Sequence, residues 1–415
     1  MTVPLRDCCF DQRGALASFE AARRAALELA SPCPRTEHVP LARAMGRTLA
    51  IAIAAPRALP AFDQAAMDGY ALAATAVQGV PRVLPVSGCT RAGDPPGVLA
   101  PGSAHRILTG AALPAGADTV VMQEDVRWRD HRVQIDASAE AGTHIRHQGE
   151  DVAAGAVVLP AGRVLGWAEI ALLAALGVGD VLVRSPLRVA LITTGSELCS
   201  PGEALRLGAI YDSNTPMLSA LLAGPDIHLT SVMVPDDEIA VARALATSAD
   251  NADVILTTAG MSVGEEDHVR AAVRRTGGAL MIEKVAMKPG KPLALGRLGS
   301  SCFIGLPGNP QAAACGVLAF VRPMLARLLG RPAQRPLTAV TAFACAARPD
   351  RTELLPVRLG TEAGRLTAHR SGPEGSHRLL PMVAADAVAI VPAGMRAGPG
   401  VCVEVLPFDP MRCGA

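Results

Sequence analysis

Aromatic residues are scarce in this chain of 415 residues, which holds two tryptophans, two tyrosines and seven phenylalanines. Its apolar mass must therefore be aliphatic, drawn mostly from Ala, Val and Leu. A charge of one sign is missing as well: 39 basic side chains face 38 acidic ones, for a formal charge of +1. That balance excludes the basic excess of a nucleic-acid-binding surface, so any anion site must be local. The ten cysteines include no CxxC pair, and the adjacent Cys8 and Cys9 have poor geometry for zinc or an ordinary disulfide. The opening residues, Met1 to Arg6, carry no signal-peptide pattern, so reduced thiols and a cytoplasmic location are expected. Neither a Ser-His-Asp order nor a cluster of histidines is present, which argues against hydrolase triads and zinc sites. The longest charge-free stretch, Leu298 to Val321, could span a bilayer by length alone. However, Pro307, Gly308, Asn309, Pro310 and Gln311 interrupt its centre, so it reads as strand, loop and helix with no membrane association.

What the chain does have is turns and buried runs. Its 33 prolines and 40 glycines are spread along the whole length, and the length suggests about three or four domains. Residues 14–30 have helical spacing, with Leu16, Phe19, Ala22, Ala26 and Leu29 on one face. The stretch 61–150 is turn-rich with short β-like runs at Arg82 to Val86, Thr119 to Met122 and His131 to Ile135. Trp167 to Leu176 reads as a helix stopped by Gly177. Beyond Pro186, strands and helices alternate: Arg188 to Ile192, Met217 to Ala223, Val232 to Val234, Glu238 to Ala249, Asp253 to Leu256 and Asp267 to Arg275. This spacing predicts a parallel sheet with helices on both faces. After a proline- and arginine-rich linker (Leu329 to Pro336), short alternating runs predict a terminal β domain.

The chemistry concentrates in loops at predicted strand ends, where an open parallel sheet binds ligands. Lys288-Pro289-Gly290-Lys291-Pro292 carries two ammonium groups on a stiff backbone, and Pro307-Gly308-Asn309-Pro310 offers amides beside a glycine. Thr193 to Glu197 and Thr258 to Gly264 add hydroxyls, glycines and free amides. Together these suit a phosphate or another oxyanion. Glu197, Glu265, Glu266 and Asp267 lie beside them; Asp267 also fits a helix N-cap, and such carboxylates can hold the Mg²⁺ that neutralises phosphate. Met67-Asp68-Gly69-Tyr70-Ala71 and Gln148-Gly149-Glu150-Asp151 each read, by themselves, as turns.

Taken together, the segments LPAFDQAAMDGYALA (59–73), HRILTGAALPAGADTVVMQED (105–125), HIRHQGEDVAAGAVVLPAG (144–162), LRVALITTGSEL (187–198), GAIYDSNTPML (208–218), TTAGMSVGEEDHV (257–269), KVAMKPGKPLALG, FIGLPGNP, EGSHRLL (374–380) and VCVEVLPF (401–408) closely resemble one family. It is that of the molybdopterin molybdenumtransferases, called MoeA in bacteria and matched by the gephyrin E domain. The resemblance covers nearly the whole chain in family order. It implies a multi-domain α/β plus β fold: an extended helical and dimerisation domain (1–60 and 152–184), an inserted β domain (61–151), a central parallel-sheet molybdopterin-binding domain (185–330) and a C-terminal β barrel (331–415). It also implies a homodimer in which the β domain of one subunit faces the α/β domain of the other. Molybdopterin adenylyltransferase and molybdoenzyme clients would be further partners.

The implied activity is insertion of molybdate into adenylylated molybdopterin, with Mg²⁺-dependent release of AMP. The resemblance makes Asp68, Asp151, Glu197 and Asp267 candidate catalytic residues, with Glu197 and Asp267 as metal ligands. Candidate substrate-binding residues are Thr109, Thr194, Gly195, Ser213, Asn214, Gly260, Ser262, Gly264, Lys284, Lys288, Lys291, Pro307, Gly308, Asn309 and Pro310. Three positions depart from the family: Ser196 stands where Asp is usual, Ala259 where the first of two glycines is usual, and His147 where Arg is common. Ala259 would be strained if its position needs a positive φ. The changes at 196 and 259 give weight to an alternative, a non-catalytic paralogue that delivers cofactor to client enzymes. An adenylyltransferase acting one step earlier would share the α/β domain but not the MDGYA and GED segments. Molybdate and tungstate are not distinguished by the sequence, because the two oxyanions match in charge and nearly in size.

Overall fold

A computed structural model describes residues 16–259, 268–333, 336–373 and 375–408. The apolar runs beyond Pro186 form a six-stranded sheet in the spatial order Ile227–Val234, Leu187–Thr194, Val254–Thr258, Ser301–Leu306, Ala294–Leu298, Ala279–Ile282. The first four strands are parallel. Val254–Thr258 and Ser301–Leu306 are buried at every position, as expected for strands covered on both faces. The sheet is not parallel throughout, which corrects the sequence expectation. Ala294–Leu298 runs antiparallel to Ser301–Leu306, because Gly299 (φ 58°) and Ser300 join them in a hairpin too short for a crossover.

Helices Asn214–Leu222, Glu238–Ala249, His268–Arg275 and Pro310–Gly316 flank the sheet, and a π segment (Val317–Val321) carries the last of these into Arg322–Leu328. The helix predicted over 14–30 spans Phe19–Leu29, capped by the Ser18 hydroxyl, which accepts from the Ala21 amide. Its stripe of Phe19, Ala22, Ala26 and Leu29 is buried in the same core as the central sheet, where Phe19 meets Phe320 edge-on at 5.5 Å. Leu16 lies outside the helix and is exposed.

Two distant segments meet in a further module: Thr36–Pro40 pairs with Asp180–Arg184, and Ile53–Ala54 with Val157–Leu159. Helix Trp167–Ala175 belongs to it and ends, as its sequence predicts, at Gly177 (φ 76°). Between those segments lies a second six-stranded sheet, ordered Thr119–Met122, Gly69–Leu72, Ala104–Ile107, Arg82–Thr90, Arg132–Ile135, Val126–Arg129. Gly69 is required there, since a Cβ would sit 2.1 Å from the Val121 carbonyl oxygen.

The C-terminal strands close into a five-stranded barrel: Thr352–Glu362, Arg365–Arg370, Leu337–Thr341, Cys402–Pro407 and Ala387–Val391, which pairs back with the first. A sixth strand, Met287–Lys288, joins from the central segment, in parallel with Thr352–Glu353. Among the described residues no helix is long and apolar enough to cross a membrane.

A buried ionic knot joins the module, the central domain and the linker. Asp226, 2% exposed, accepts from Arg47 Nε at 2.7 Å, from Arg331 at 2.9 Å and from the Thr48 hydroxyl. Arg47, itself buried, also donates to Glu37 and to the Arg184 carbonyl.

Candidate functional site

The register of the parallel strands brings Thr194, Thr258 and Leu306 to one edge of the central sheet. The loops that leave this edge face the C-terminal barrel across a cleft of about 810 Å³. Thr194, Glu197, Ser213, Asn214, Lys288, Lys291, Pro307, Gly308, Asn309 and Pro310 all line it. Ten of the sequence-nominated residues therefore converge, although they come from segments more than a hundred residues apart.

Hydrogen bonds fix the floor. The Asp212 carboxylate accepts from the amides of Asn214 (2.9 Å) and Thr215 (3.0 Å), holding the start of helix Asn214–Leu222. Asn214 Nδ2 donates to the Gly308 carbonyl at 2.6 Å, which ties the Asp-Ser-Asn segment to the Pro-Gly-Asn-Pro loop. Asn214 Oδ1 and the hydroxyls of Thr257 and Thr258 are buried without a hydrogen-bond partner among the described residues. Gly195 is buried in the turn behind Glu197, where a Cβ would press on Leu198 Cγ at 2.8 Å and on the Glu197 carboxylate at 2.9 Å. The Ser196 hydroxyl accepts from the Asp236 amide at 3.3 Å, and the Thr194 hydroxyl donates to the Asp236 carboxylate at 3.1 Å.

Ala259 has φ 68°, the left-handed conformation that its departure from glycine made a concern. A Cβ there costs about 1–2 kcal/mol, partly offset by the extra chain entropy that glycine loses on folding. It also crowds the neighbouring loop, since a Cβ built on Gly308 would lie 3.2 Å from Ala259 Cβ. We therefore expect Ala259→Gly to raise stability by up to about 1 kcal/mol. Gly308→Ala should lower the melting temperature more in the native background than alongside Ala259→Gly; equal losses in both backgrounds would contradict this steric reading.

The remaining nominated residues lie elsewhere. Asp68, just before strand Gly69–Leu72, and Thr109, just after Ala104–Ile107, flank the second sheet and meet each other: the Asp68 carboxylate accepts from both the amide and the hydroxyl of Thr109 at 2.7 Å. The Thr109 amide, then its hydroxyl, hold the Asp68 carboxyl below its ordinary pKa. Asp151 is exposed in a turn where its amide donates to Leu59 O. Lys284 is half-buried, and its carbonyl accepts from Ala17 N. None of these four lines the cleft of its own chain. Gly260, Ser262, Gly264 and Asp267 lie outside the described residues.

Sequence reasoning gave no role to the barrel wall of the cleft, formed in part by Arg351, Glu353, Arg370, Ser376 and His377. Asn309 Nδ2 donates to Ser376 Oγ at 3.2 Å, and Lys288 Nζ lies 3.8 Å from the Glu353 carboxylate. The EGSHRLL segment could have flagged Ser376 and His377; nothing local in the sequence places Arg351 or Glu353 across from Lys288.

A doubly flanked sheet whose strand-end loops, with Lys288 and Lys291 among them, border a cleft against a barrel is the arrangement of a ligand-binding α/β protein. Three family profiles cover the chain: "MoeA N-terminal region (domain I and II)" over 17–177, "Probable molybdopterin binding domain" over 190–327 and "MoeA C-terminal region (domain IV)" over 338–408. The protein named molybdopterin molybdenumtransferase 2 of Mycobacterium tuberculosis (strain H37Rv) is 36% identical over 388 residues, 90% of this chain and 95% of that protein. Molybdopterin molybdenumtransferase of Haemophilus influenzae is 33% identical over 402 residues, 94% of this chain and 98% of that one. The crystal structure of a molybdopterin biosynthesis MoeA protein from Pyrococcus horikoshii OT3 superposes with a TM-score of 0.81 at 28% identity, covering 94% of this chain and 100% of that one. The chain belongs to the MoeA family of molybdopterin molybdenumtransferases.

Proposed function

We propose that the protein acts in molybdenum cofactor biosynthesis, inserting molybdate into adenylylated molybdopterin with release of AMP. The observation that carries this is the convergence of Lys288, Lys291 and the Pro307–Pro310 loop on one cleft at the strand ends. The two ammonium groups attract the oxyanion and the substrate phosphates, while the proline-bound loops keep the wall rigid. Asn214 Oδ1 and the Thr258 hydroxyl, buried and unpartnered among the described residues, are the polar groups that gain most from a bound substrate.

Mg²⁺ is ordinarily shared between one or two carboxylates and substrate phosphates. Glu197, on the cleft wall, is one carboxylate that would hold it, and Asp267 is the second ligand that the family resemblance implies. Bound there, the ion would neutralise phosphate charge during cleavage of the anhydride.

The active form we propose is a homodimer, in which a second copy brings Asp68, Thr109 and Asp151 to the open side of the cleft. A cytoplasmic setting goes with this reading. Cys199, Cys302 and Cys315 are free and buried, and burial pushes the Cys315 thiol up to about 12, so it stays protonated and inert. Expression in a bacterial strain lacking its own molybdenumtransferase should restore molybdoenzyme activity at ordinary molybdate concentrations. Failure to restore it, with the protein expressed and folded, would count against the proposal.

A further inference from the structure

Lys288 stands on the cleft wall, yet its strand pairs with the barrel and not with the central sheet. Residues Val285 to Lys288 are strapped on both flanks. On one side Ala17 N donates to Lys284 O at 3.0 Å and Ala286 N to Ala17 O at 2.7 Å; on the other, Thr352 N donates to Ala286 O at 2.9 Å. The parallel register then sets Lys288 directly against Glu353. The two side chains differ sharply in exposure, with that of Glu353 8% exposed and that of Lys288 48% exposed. A carboxylate buried to this degree needs a counter-charge, and the Lys288 ammonium supplies one at 3.8 Å. Both members of the pair line the cleft, so the Lys288 ammonium and the Glu353 carboxylate meet on its barrel wall.

We infer that Glu353 is a positioning residue for the reaction, one that fixes the Lys288 ammonium at the cleft wall before the oxyanion arrives. A lysine stem has large rotamer freedom, and holding its charge in advance spares that loss on binding. The closed barrel is then part of the substrate site, contributing the strand that aims the cation. This inference rests on the proposed function, in that the cleft must receive an anionic substrate. The competing possibility is that Glu353 only staples the barrel to the central domain, which would alter stability and leave substrate affinity alone.

The test is steady-state AMP release with molybdate varied, joined to calorimetric titration of molybdate into the full-length protein, for wild type, Glu353→Gln and Glu353→Asp. Glu353→Gln should raise the molybdate KM and Kd about tenfold while kcat falls less than about threefold. Glu353→Asp should recover part of the loss, because it keeps the charge. In a Lys288→Ala background, Glu353→Gln should change the calorimetric molybdate Kd by less than about twofold, because its effect passes through the lysine. Wild-type KM and Kd in Glu353→Gln would overturn the inference, and so would an undiminished effect in the Lys288→Ala background. An activity loss that follows only a lowered melting temperature, with Kd unchanged, would overturn it too. The binding arm separates the two claims: a wild type that binds molybdate but releases no AMP sinks the proposed function, while Kd for Glu353→Gln still decides the positioning role.

Discussion

Asp226→Ala is expected to destabilise the protein by about 3–5 kcal/mol, the usual cost of leaving a buried ion-pair partner without its counter-charge. Arg47 would lose its buried partner and keep only the more exposed Glu37. The Arg47 side chain is 9% exposed, and Asp226 is one of two carboxylates it meets. The same substitution releases Arg331, in the linker to the barrel, and the buried Thr48 hydroxyl. Because the knot joins three parts of the chain, the first transition in urea should move to markedly lower denaturant, with the module and barrel losing their fixed seats together. Asp226→Asn, which keeps hydrogen-bonding capacity and loses only the charge, should cost less. A loss below about 1 kcal/mol in the alanine variant would mean that the network is solvated or redundant.

Asp68→Asn is expected to lower kcat by about 10²–10³-fold, the scale for removing a positioned electrostatic group from an active site. The carboxylate is partly exposed in a single chain, and two Thr109 donors hold it in one orientation and favour its charged form. Its folded pKa is depressed, so the charge persists as pH falls below the ordinary carboxylate range and is lost only at the lowered value. Thr109→Val removes the hydroxyl donor, so the acid limb of kcat should move to higher pH. Asp68 does not line the cleft of its own chain, so in the homodimer proposed above Asp68→Asn and Lys288→Ala would lie on opposite sides of a shared site. Each variant should be nearly inactive alone, and an equimolar mixture should regain roughly a quarter of wild-type activity through reassorted two-fold dimers. A mixture as inactive as its components would argue that the site does not span two subunits.

Much of this was legible in the residues. The strands read at Asp253 to Leu256 and Cys302 to Leu306 declare themselves by short apolar runs, and the lysine and proline loops by stiffness and charge. The strain at Ala259 was legible too, since a β-carbon at a glycine position has a definite conformational cost. Other features carry no local signal. The antiparallel turn of Ala294–Leu298 depends on a two-residue hairpin between runs that read the same in either direction. The Phe19–Leu29 stripe says that the helix is buried, not that it packs on a sheet that starts at Leu187. Pairing of Met287–Lys288 with the barrel spans more than sixty residues, and with it went the barrel's whole contribution to the cleft. Asp68 and Thr109 were nominated separately, and their direct contact across 41 residues emerges only in three dimensions.

The most direct test of molybdenum insertion is AMP release from purified protein supplied with adenylylated molybdopterin, Mg²⁺ and either molybdate or tungstate. The expected result is stoichiometric AMP formation that depends on both the oxyanion and Mg²⁺, with matching appearance of a cofactor that activates an apo-molybdoenzyme. No AMP release, under conditions in which a related molybdenumtransferase turns over, would contradict the assignment.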